Sequence, residues 1–254
     1  MPVKFLIDMP ALFIEDKKAL LVADLHLGIE NELYKSGIVI IPQAEKFAKM
    51  INRLIDITRA KKLVILGDVK HEVPGISFRE IRQIPKFFDL LSEECKVLVV
   101  KGNHDTNLED IIMKKVKVYS SRGFKLGKYG FFHGHAWPSK ALMRCDYLFM
   151  GHVHPAVEFR DDLGYRNVEQ VWVKGELEKQ LVKERYKIKK CGKLETVILP
   201  AFNRMLGGVV LNATVEKELI GPLLVNRFLE LDKSKVYMLD GTYLGSMSML
   251  KRKK

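Results

Sequence analysis

The chain has 254 residues, 47% of them hydrophobic and 29% charged, which is typical of a soluble globular protein with one large core or two small ones. No hydrophobic run reaches the roughly 18 residues needed to cross a bilayer, and the N-terminal segment lacks the features of a signal peptide. The net charge of +12 favours an anionic partner, and three distant cysteines favour a reducing cytoplasm over a disulfide framework.

The first two thirds of the chain alternate between strand-like and helix-like segments. Two hydrophobic runs, 11–15 and 19–24, flank a short polar turn and predict a hairpin. Pro85 should kink or interrupt the helix in which it lies. Helices are predicted over 42–60, 78–93 and 108–115, and strands over 62–68, 96–102, 129–134 and 146–152.

Beyond residue 160 the helical pattern weakens. Strands are predicted over 170–174, 196–200 and 236–240, and a helix over 175–187. The paired glycines of 201–208 (AFNRMLGG) indicate either a backbone that passes close to another group or a tight turn between strands. Because no repeat, linker or boundary is evident, residues 1–250 are expected to form one domain.

Two stretches concentrate the positive charge. Residues 114–128 contain six basic residues and no acidic one, and residues 174–193 contain eight basic and three acidic residues. A polyanion such as nucleic acid would explain them, and so would a solvated lysine-rich surface. The aromatic residues Tyr119, Phe124 and Tyr129 fit core positions of a strand better than a base-stacking surface.

All seven histidines lie between residues 26 and 154, and nearly all directly follow a predicted strand. A strand end places a side chain on rigid backbone at the sheet edge, and glycine permits a sharp turn there. Core histidines would have to be invoked at five strand ends, so the pattern predicts a metal site. The five units are Asp24-Leu25-His26, Gly67-Asp68, Gly102-Asn103-His104-Asp105, His133-Gly134-His135 and Gly151-His152-Val153-His154.

The candidate ligands are carboxylates, imidazoles and one amide, without a thiolate. This donor set suits manganese, iron(II), zinc and similar divalent ions. The candidates outnumber the ligands that one ion needs, which predicts two ions bridged by a carboxylate. Such pairs serve the hydrolysis of phosphate esters.

The order and spacing of the five units over 24–154 resemble the calcineurin-like metallophosphoesterase family. Four further segments, GDVKHE (67–72), HVHP (152–155), VILPAFNRMLGG (197–208) and DGTYLG (240–245), are similar to the archaeal branch related to the Mre11/SbcD nucleases. They are also similar to bacterial phosphoesterases associated with DNA ligase and helicase genes. The resemblance implies an α/β (mixed α+β) fold, a four-layer αββα sandwich of two mixed sheets flanked by helices.

The resemblance also implies which residues bind metal. Asp68 would bridge two ions, most favourably Mn²⁺, with Zn²⁺, Fe²⁺, Ni²⁺ and Co²⁺ as alternatives. The other ligands would be Asp24, His26 and His154 for the first ion, and Asn103, His133 and His152 for the second.

Non-ligand roles follow from the same resemblance. His104 would stand near the scissile phosphate to stabilise charge or protonate the leaving oxygen, and Asp105 would orient its imidazole. His133 is preferred over His135 as the ligand because the family's histidine precedes glycine, and His135 then becomes a substrate-side group. His71, where many members have a carboxylate, is a second substrate-side candidate. The arginine of serine/threonine phosphatases is missing from this loop, so protein-phosphatase activity is disfavoured.

Three functions are compatible with this sequence. The favoured hypothesis is a metal-dependent phosphodiesterase that acts on nucleic acid. The positive net charge supports the choice of nucleic acid as the substrate. The second is a hydrolase of small nucleotides or other phosphodiesters or monoesters. The third is a non-catalytic, metal-stabilised partner of DNA-repair proteins, against which His104 and Asp105 argue, since a structural metal site has no need of a non-ligand histidine.

Overall fold

The computed structural model describes residues 3–112, 116–214 and 218–251, and these ranges contain fifteen strands and six α-helices. The strands are β1 (Val3–Phe5), β2 (Leu12–Ile14), β3 (Ala19–Val22), β4 (Lys62–Leu66), β5 (Lys96–Val100), β6 (Lys117–Tyr119), β7 (Phe124–Leu126), β8 (Tyr129–Phe131), β9 (Tyr147–Met150), β10 (Pro155–Arg160), β11 (Arg166–Glu176), β12 (Glu195–Ile198), β13 (Val209–Val210), β14 (Lys235–Met238) and β15 (Tyr243–Ser246). The helices are α1 (Glu30–Lys35), α2 (Ala44–Thr58), α3 (Phe78–Leu90), α4 (Lys179–Tyr186), α5 (Pro222–Val225) and α6 (Met247–Leu250).

The N-terminal strands form a six-stranded sheet in chain order, β1 to β6. The predicted hairpin is confirmed, since β2 and β3 pair antiparallel. From β3 onward each strand pairs parallel with the next. Parallel neighbours need crossover connections, and here α1 and α2 connect β3 to β4, and α3 connects β4 to β5. The carboxyl ends of β3, β4 and β5 therefore lie side by side at one edge of the sheet.

The second sheet has the strand order β13-β10-β11-β12-β9-β8-β7, with β14 pairing β11 and β15. It is mixed, because β8 pairs parallel with β9 and β9 with β12, whereas β11 pairs antiparallel with both neighbours. The carboxyl ends of β8 and β9 are adjacent. The long strand β11 continues to Glu176, so the helix predicted over 175–187 begins later, at Lys179.

Alternating side chains along the strands build the layers. In β3 and β4, Leu21 and Val64 face the second sheet, where they pack with Phe131 and Phe149, while Leu20 and Leu63 pack with the helices. Successive strand residues point to opposite faces, so one sheet serves two cores. The far side of the second sheet packs against a third cluster of buried residues, which includes residues of α4 and α5. Two mixed sheets between helical layers confirm the expected fold class.

Helices α2 and α3 cover the first sheet through their hydrophobic faces. In α3, Ser77 and Glu80 form a capping box, and Ile84, Phe87 and Phe88 are buried. Of the two expected outcomes at Pro85, a kink or an interruption, the structure excludes the interruption, because the helix continues through this residue. We attribute this to the packing of these buried side chains, which outweighs the missing backbone hydrogen bond.

Three other sequence predictions have clear outcomes. The helix predicted over 108–115 is only a 3-10 turn over Leu108–Asp110, and residues 113–115 lie outside the described ranges. The core interpretation of the aromatic residues is confirmed, since the rings of Tyr119 and Phe124 stack at 4.0 Å and Tyr129 is fully buried. Within the described part of the chain, no helix has the length and hydrophobicity that a membrane span requires.

Candidate metal centre

The polar units follow strand ends of both sheets, and the packing of the sheets brings them together. The His133 imidazole, after β8, donates from Nδ1 to the carbonyl of Leu66 at the end of β4, over 2.7 Å. The backbone N–H of His152, after β9, donates to both carboxylate oxygens of Asp24 at 3.2 and 3.1 Å. Hydrogen bonds therefore join the two sheets at the candidate site.

A first group of candidate ligands consists of Asp24, His26 and His154, whose donor atoms all lie within 4.8 Å of one another. The Nε2 atom of His154 is 3.5 Å from Oδ1 of Asp24. Asp24 and His26 are buried, and His154 is partly exposed. One carboxylate and two imidazoles form a donor set that divalent transition metals accept.

A second group consists of Asp68, His133 and His152, again with all donor atoms within 4.8 Å. Asn103 joins it, because its Oδ1 lies 3.3 Å from Nε2 of His133. The Oδ2 atom of Asp68 is 3.3 Å from Nε2 of His133 and 3.4 Å from Nε2 of His26 in the first group. The Asp68 carboxylate therefore lies between the two groups of candidate ligands.

The imidazole nitrogens test whether these residues fit a metal ion. The Nε2 atoms of His26 and His154 are buried and have no hydrogen-bond partner. A buried polar atom without a partner costs about 1–3 kcal/mol, and both atoms face carboxylate oxygens 3.4 and 3.5 Å away. A divalent cation between each pair would satisfy nitrogen and oxygen together, so the donor set fits a metal.

Mutual electrostatics perturb the titration of these groups. Burial alone would raise the pKa of Asp68, but the imidazoles of His133 and His26 outweigh it and hold that pKa far below its ordinary value. Burial would likewise lower the pKa of His133, yet the Asp68 carboxylate raises it to about 9. Burial lowers the pKa of His152 to about 4. Perturbed groups clustered in this way are characteristic of functional sites.

Five candidate ligands adopt left-handed backbone conformations. Their φ angles are 56° at Asp24, 42° at His26, 48° at Asp68, 70° at His152 and 45° at His154. Such conformations are unfavourable for residues with a side chain, by roughly 1–2 kcal/mol each, and concentrate at functional sites. The chain turns sharply directly after each strand, which aims these side chains into the gap between the sheets.

Glycines beside the ligands leave room for them. A Cβ atom at Gly102 would lie 2.0 Å from Oδ1 of Asp68, and one at Gly67 would lie 2.3 Å from Nδ1 of His133. Gly67 also has a φ of +82°, which favours glycine on conformational grounds. These two positions exclude any larger residue, because the carboxylate and the imidazole occupy the space.

The structure separates the roles expected for His104 and Asp105. Asp105 is fully buried and accepts hydrogen bonds from the backbone N–H groups of Val69, Lys70 and Gly102. The His104 imidazole instead donates from Nδ1 to the carbonyl of His71 over 2.6 Å. The expected orientation of His104 by Asp105 is therefore corrected, since the carboxylate fixes the loops that carry Asp68 and Asn103 and the His71 carbonyl orients the ring.

His71 lies against a candidate ligand. Its Nδ1 is 3.1 Å from Nδ1 of His26, and its Nε2 is 2.6 Å from the Glu32 carboxylate. A cation bound at Nε2 of His26 would leave the ring proton on Nδ1, which would donate it to Nδ1 of His71. The His71 ring then donates from Nε2 to Glu32. A chain from carboxylate to imidazole to imidazole thus fixes the orientation of His26.

The second substrate-side candidate, His135, also lies beside the centre. Its ring is 5.1 Å from that of His133 and 5.9 Å from that of His152, measured between centroids. Burial lowers its pKa to about 4, so the ring is neutral near pH 7. His133 makes the contacts with Asp68 and Asn103.

Two loops that support the site were not assigned a role from sequence. Asn203 is buried, donates from Nδ2 to the carbonyl of Leu25 over 3.0 Å, and has its own N–H 3.3 Å from the Asp24 carbonyl. A Cβ at Gly208 would lie 2.5 Å from the carbonyl of His154, so Gly208 marks a close backbone approach, whereas a Cβ at Gly207 would meet open space. Buried Lys70 donates to two carbonyls of its own loop, at Glu72 and Gly75.

A four-layer sandwich with carboxylates, imidazoles and an amide gathered at one rim is the architecture of a metallophosphoesterase. The family model described as calcineurin-like phosphoesterase matches residues 17–174, more than half of the chain. The chain belongs to this family.

Comparison with one solved structure agrees with the fold. The nuclease MPE of Pseudomonas putida is similar over 92% of this chain and 89% of its own, with 20% sequence identity and a TM-score of 0.55. Yfce, a phosphoesterase from E. coli, is similar over 56% of this chain and 73% of its own, with 20% identity and a TM-score of 0.34. No curated protein matches this sequence.

Proposed function

We propose that the protein hydrolyses phosphodiester bonds with the help of two divalent ions, most favourably Mn²⁺, and that its substrate is nucleic acid. The main support is the position of the Asp68 carboxylate oxygen, 3.4 Å from His26 and 3.3 Å from His133, between two groups of donor atoms. Asp24, His26 and His154 would hold one ion, and Asn103, His133 and His152 the other. Bound ions of this kind polarise a phosphate ester and lower the pKa of water.

The protein's own groups complete the chemistry. The Nδ1 atom of His104 donates to the His71 carbonyl, which leaves Nε2 as the ring atom that can reach substrate. A protonated Nε2 would neutralise charge on the phosphate and give its proton to the leaving oxygen. The backbone N–H of His104 donates to Oδ1 of Asp68 over 2.9 Å. This hydrogen bond would fix the position of the acid relative to the bridging ligand.

The test is manganese-dependent hydrolysis of bis-p-nitrophenyl phosphate by the wild type, His104→Ala and Asp68→Ala. His104→Ala should lose roughly 10²–10⁴-fold in rate while keeping its bound metal, because only the acid is removed. Asp68→Ala should lose both activity and metal, measured by elemental analysis. Asp56→Ala, at an exposed position of α2, is the control and should retain both.

Two outcomes would contradict the proposal. Unchanged activity in His104→Ala would remove the assigned role of this histidine. Absence of hydrolysis with manganese, cobalt, nickel and zinc, in protein shown to hold two ions, would favour the non-catalytic metal-stabilised module instead.

A further inference from the structure

An open groove of about 720 Å³ lies beside the 3-10 helix Lys140–Arg144. Five of its lining residues are cationic and exposed, namely Lys140, Arg144, Lys187, Lys189 and Lys190. The other three, Ile188, Cys191 and Gly192, are uncharged. Among the residues that the structure describes, no acidic side chain lines this groove. We call these five cationic residues and the space between them the basic groove.

The backbone of the basic groove is fixed. The N–H of Gly192 donates to the Met143 carbonyl over 3.0 Å, and a Cβ at Gly192 would lie only 2.0 Å from the carbonyl of Cys145. Lys140 reaches the carbonyl of Lys187 with its ammonium group at 3.4 Å. The segment after α4 is therefore pressed onto the 3-10 helix, and its lysines project from an ordered surface.

The two basic stretches of the sequence meet at this place. The carbonyl of Arg122, from the first stretch, accepts a hydrogen bond from the N–H of Ser139, just before the 3-10 helix. From the second stretch, Tyr186 donates to the carbonyl of Pro138 over 2.8 Å, and the Arg185 guanidinium lies 3.3 Å from the centre of the Trp137 ring. Positive charge from distant parts of the chain therefore surrounds one segment, residues 137–144.

This segment starts two residues after His135 and ends just before β9, so the groove lies at the amino ends of the parallel strands β9 and β12, whereas His152 follows the carboxyl end of β9. Five residue steps separate His135, beside the metal centre, from Lys140 at the rim of the basic groove. A fully extended chain of this length spans at most about 18 Å. At about 3.4 Å per nucleotide along a strand, the groove begins within roughly five nucleotides of the metal centre.

We infer that the basic groove binds the phosphate backbone of a nucleic-acid strand whose scissile phosphate lies at the metal centre. This inference rests on the proposed function and adds the path of the substrate. Lysines predominate, they are spread along an open surface, and lysine acts on phosphates as a point charge. Such an arrangement suits successive phosphates of any sequence, and the released counterions supply the affinity.

The test compares two triple variants. The groove variant carries Lys187→Gln, Lys189→Gln and Lys190→Gln. The control variant carries Lys46→Gln, Lys49→Gln and Arg53→Gln in α2, on the opposite outer layer. Fluorescence anisotropy measures the binding of a fluorescein-labelled single strand of about 20 nucleotides. A strand of this length reaches from the metal centre to the basic groove. The groove variant should bind at least about tenfold more weakly, and its log–log salt dependence should be shallower by about 2. The charge-conserving triple Lys→Arg variant should bind like the wild type.

A kinetic readout separates this inference from the proposed function. In the groove variant, the rate on the long strand should fall relative to the rate on bis-p-nitrophenyl phosphate, and a strand of about three nucleotides should show no such fall. If none of the proteins hydrolyses either substrate but strand binding is still weakened only in the groove variant, the proposed hydrolase function is refuted and strand binding by the basic groove is supported. Equal strand binding by the groove and control variants would overturn the inference that the basic groove binds nucleic acid. Binding of the wild type to phosphatidylserine vesicles without binding to the strand would overturn it as well.

Discussion

At the scale of single residues, the orientation of one proposed ligand depends on groups outside the proposed ligand set. His26 is held through the imidazole of His71, which is held in turn by Glu32. We predict that His71→Ala lowers manganese affinity by roughly 10–100-fold, because the His26 ring loses the partner that fixes its proton on Nδ1. Isothermal titration calorimetry of the metal-free protein measures this affinity.

Glu32→Gln supplies a graded comparison for the same prediction. The Glu32 side chain is mostly exposed, and His71 holds its pKa below the ordinary value, through their hydrogen bond first. An amide retains an acceptor oxygen, so the loss of affinity should be smaller than in His71→Ala. Glu45→Gln, which removes an exposed carboxylate paired with Lys86, serves as the control. Manganese affinity equal to wild type in His71→Ala would show that His26 needs no such support.

At the scale of secondary-structure elements, the site is a consequence of parallel pairing. Strands β3, β4 and β5 run parallel, so Asp24, Asp68 and Asn103 emerge at one edge. This part could be predicted from sequence, since a hydrophobic run ending in glycine and a polar residue marks both the strand and its end.

The remaining parts of the site leave no such local signal. Asn203 lies about 180 residues from Leu25, whose carbonyl it binds, and only the packing of the sheets brings them together. Glu80 reads as an ordinary capping residue of α3, although its carboxylate also binds the N–H groups of His71 and Glu72. Support of a site by backbone hydrogen bonds depends on tertiary geometry, which periodicity cannot report.

The N-terminus of α3 should therefore couple helix stability to the site. Both Glu80 oxygens are used: one accepts from His71 and Glu72, and the other from the N–H and hydroxyl of Ser77. Glu80→Gln would place an amide N–H₂ against backbone donors on one side. We predict a loss of about 1–3 kcal/mol in the free energy of unfolding, measured with urea. Exposed Glu93→Gln is the control, and equal stability of the two variants would argue against this arrangement.

At the scale of the whole molecule, the candidate metal centre lies where the two sheets meet. The first sheet contributes Asp24, His26, Asp68 and Asn103, and the second contributes His133, His152 and His154. Any ion bound by both sets joins the sheets and binds only the folded chain. Metal binding therefore has to contribute to stability, with a size that depends on the protonation of the imidazoles.

The metal-free protein should lose stability as the pH rises. The pKa of His133 is raised from 6.5 to about 9 in the folded state, because the Asp68 carboxylate outweighs the effect of burial. A raised histidine pKa stabilises the fold fully below pH 6.5, and this contribution, on the order of 3 kcal/mol, is lost as the pH rises through 9. Urea unfolding with EDTA should show the loss, and Asp68→Asn should reduce it. With bound Mn²⁺ this decline in stability with pH should vanish, because the ion replaces the proton on His133. An identical decline with and without metal would refute the coupling between metal binding and the protonation of His133.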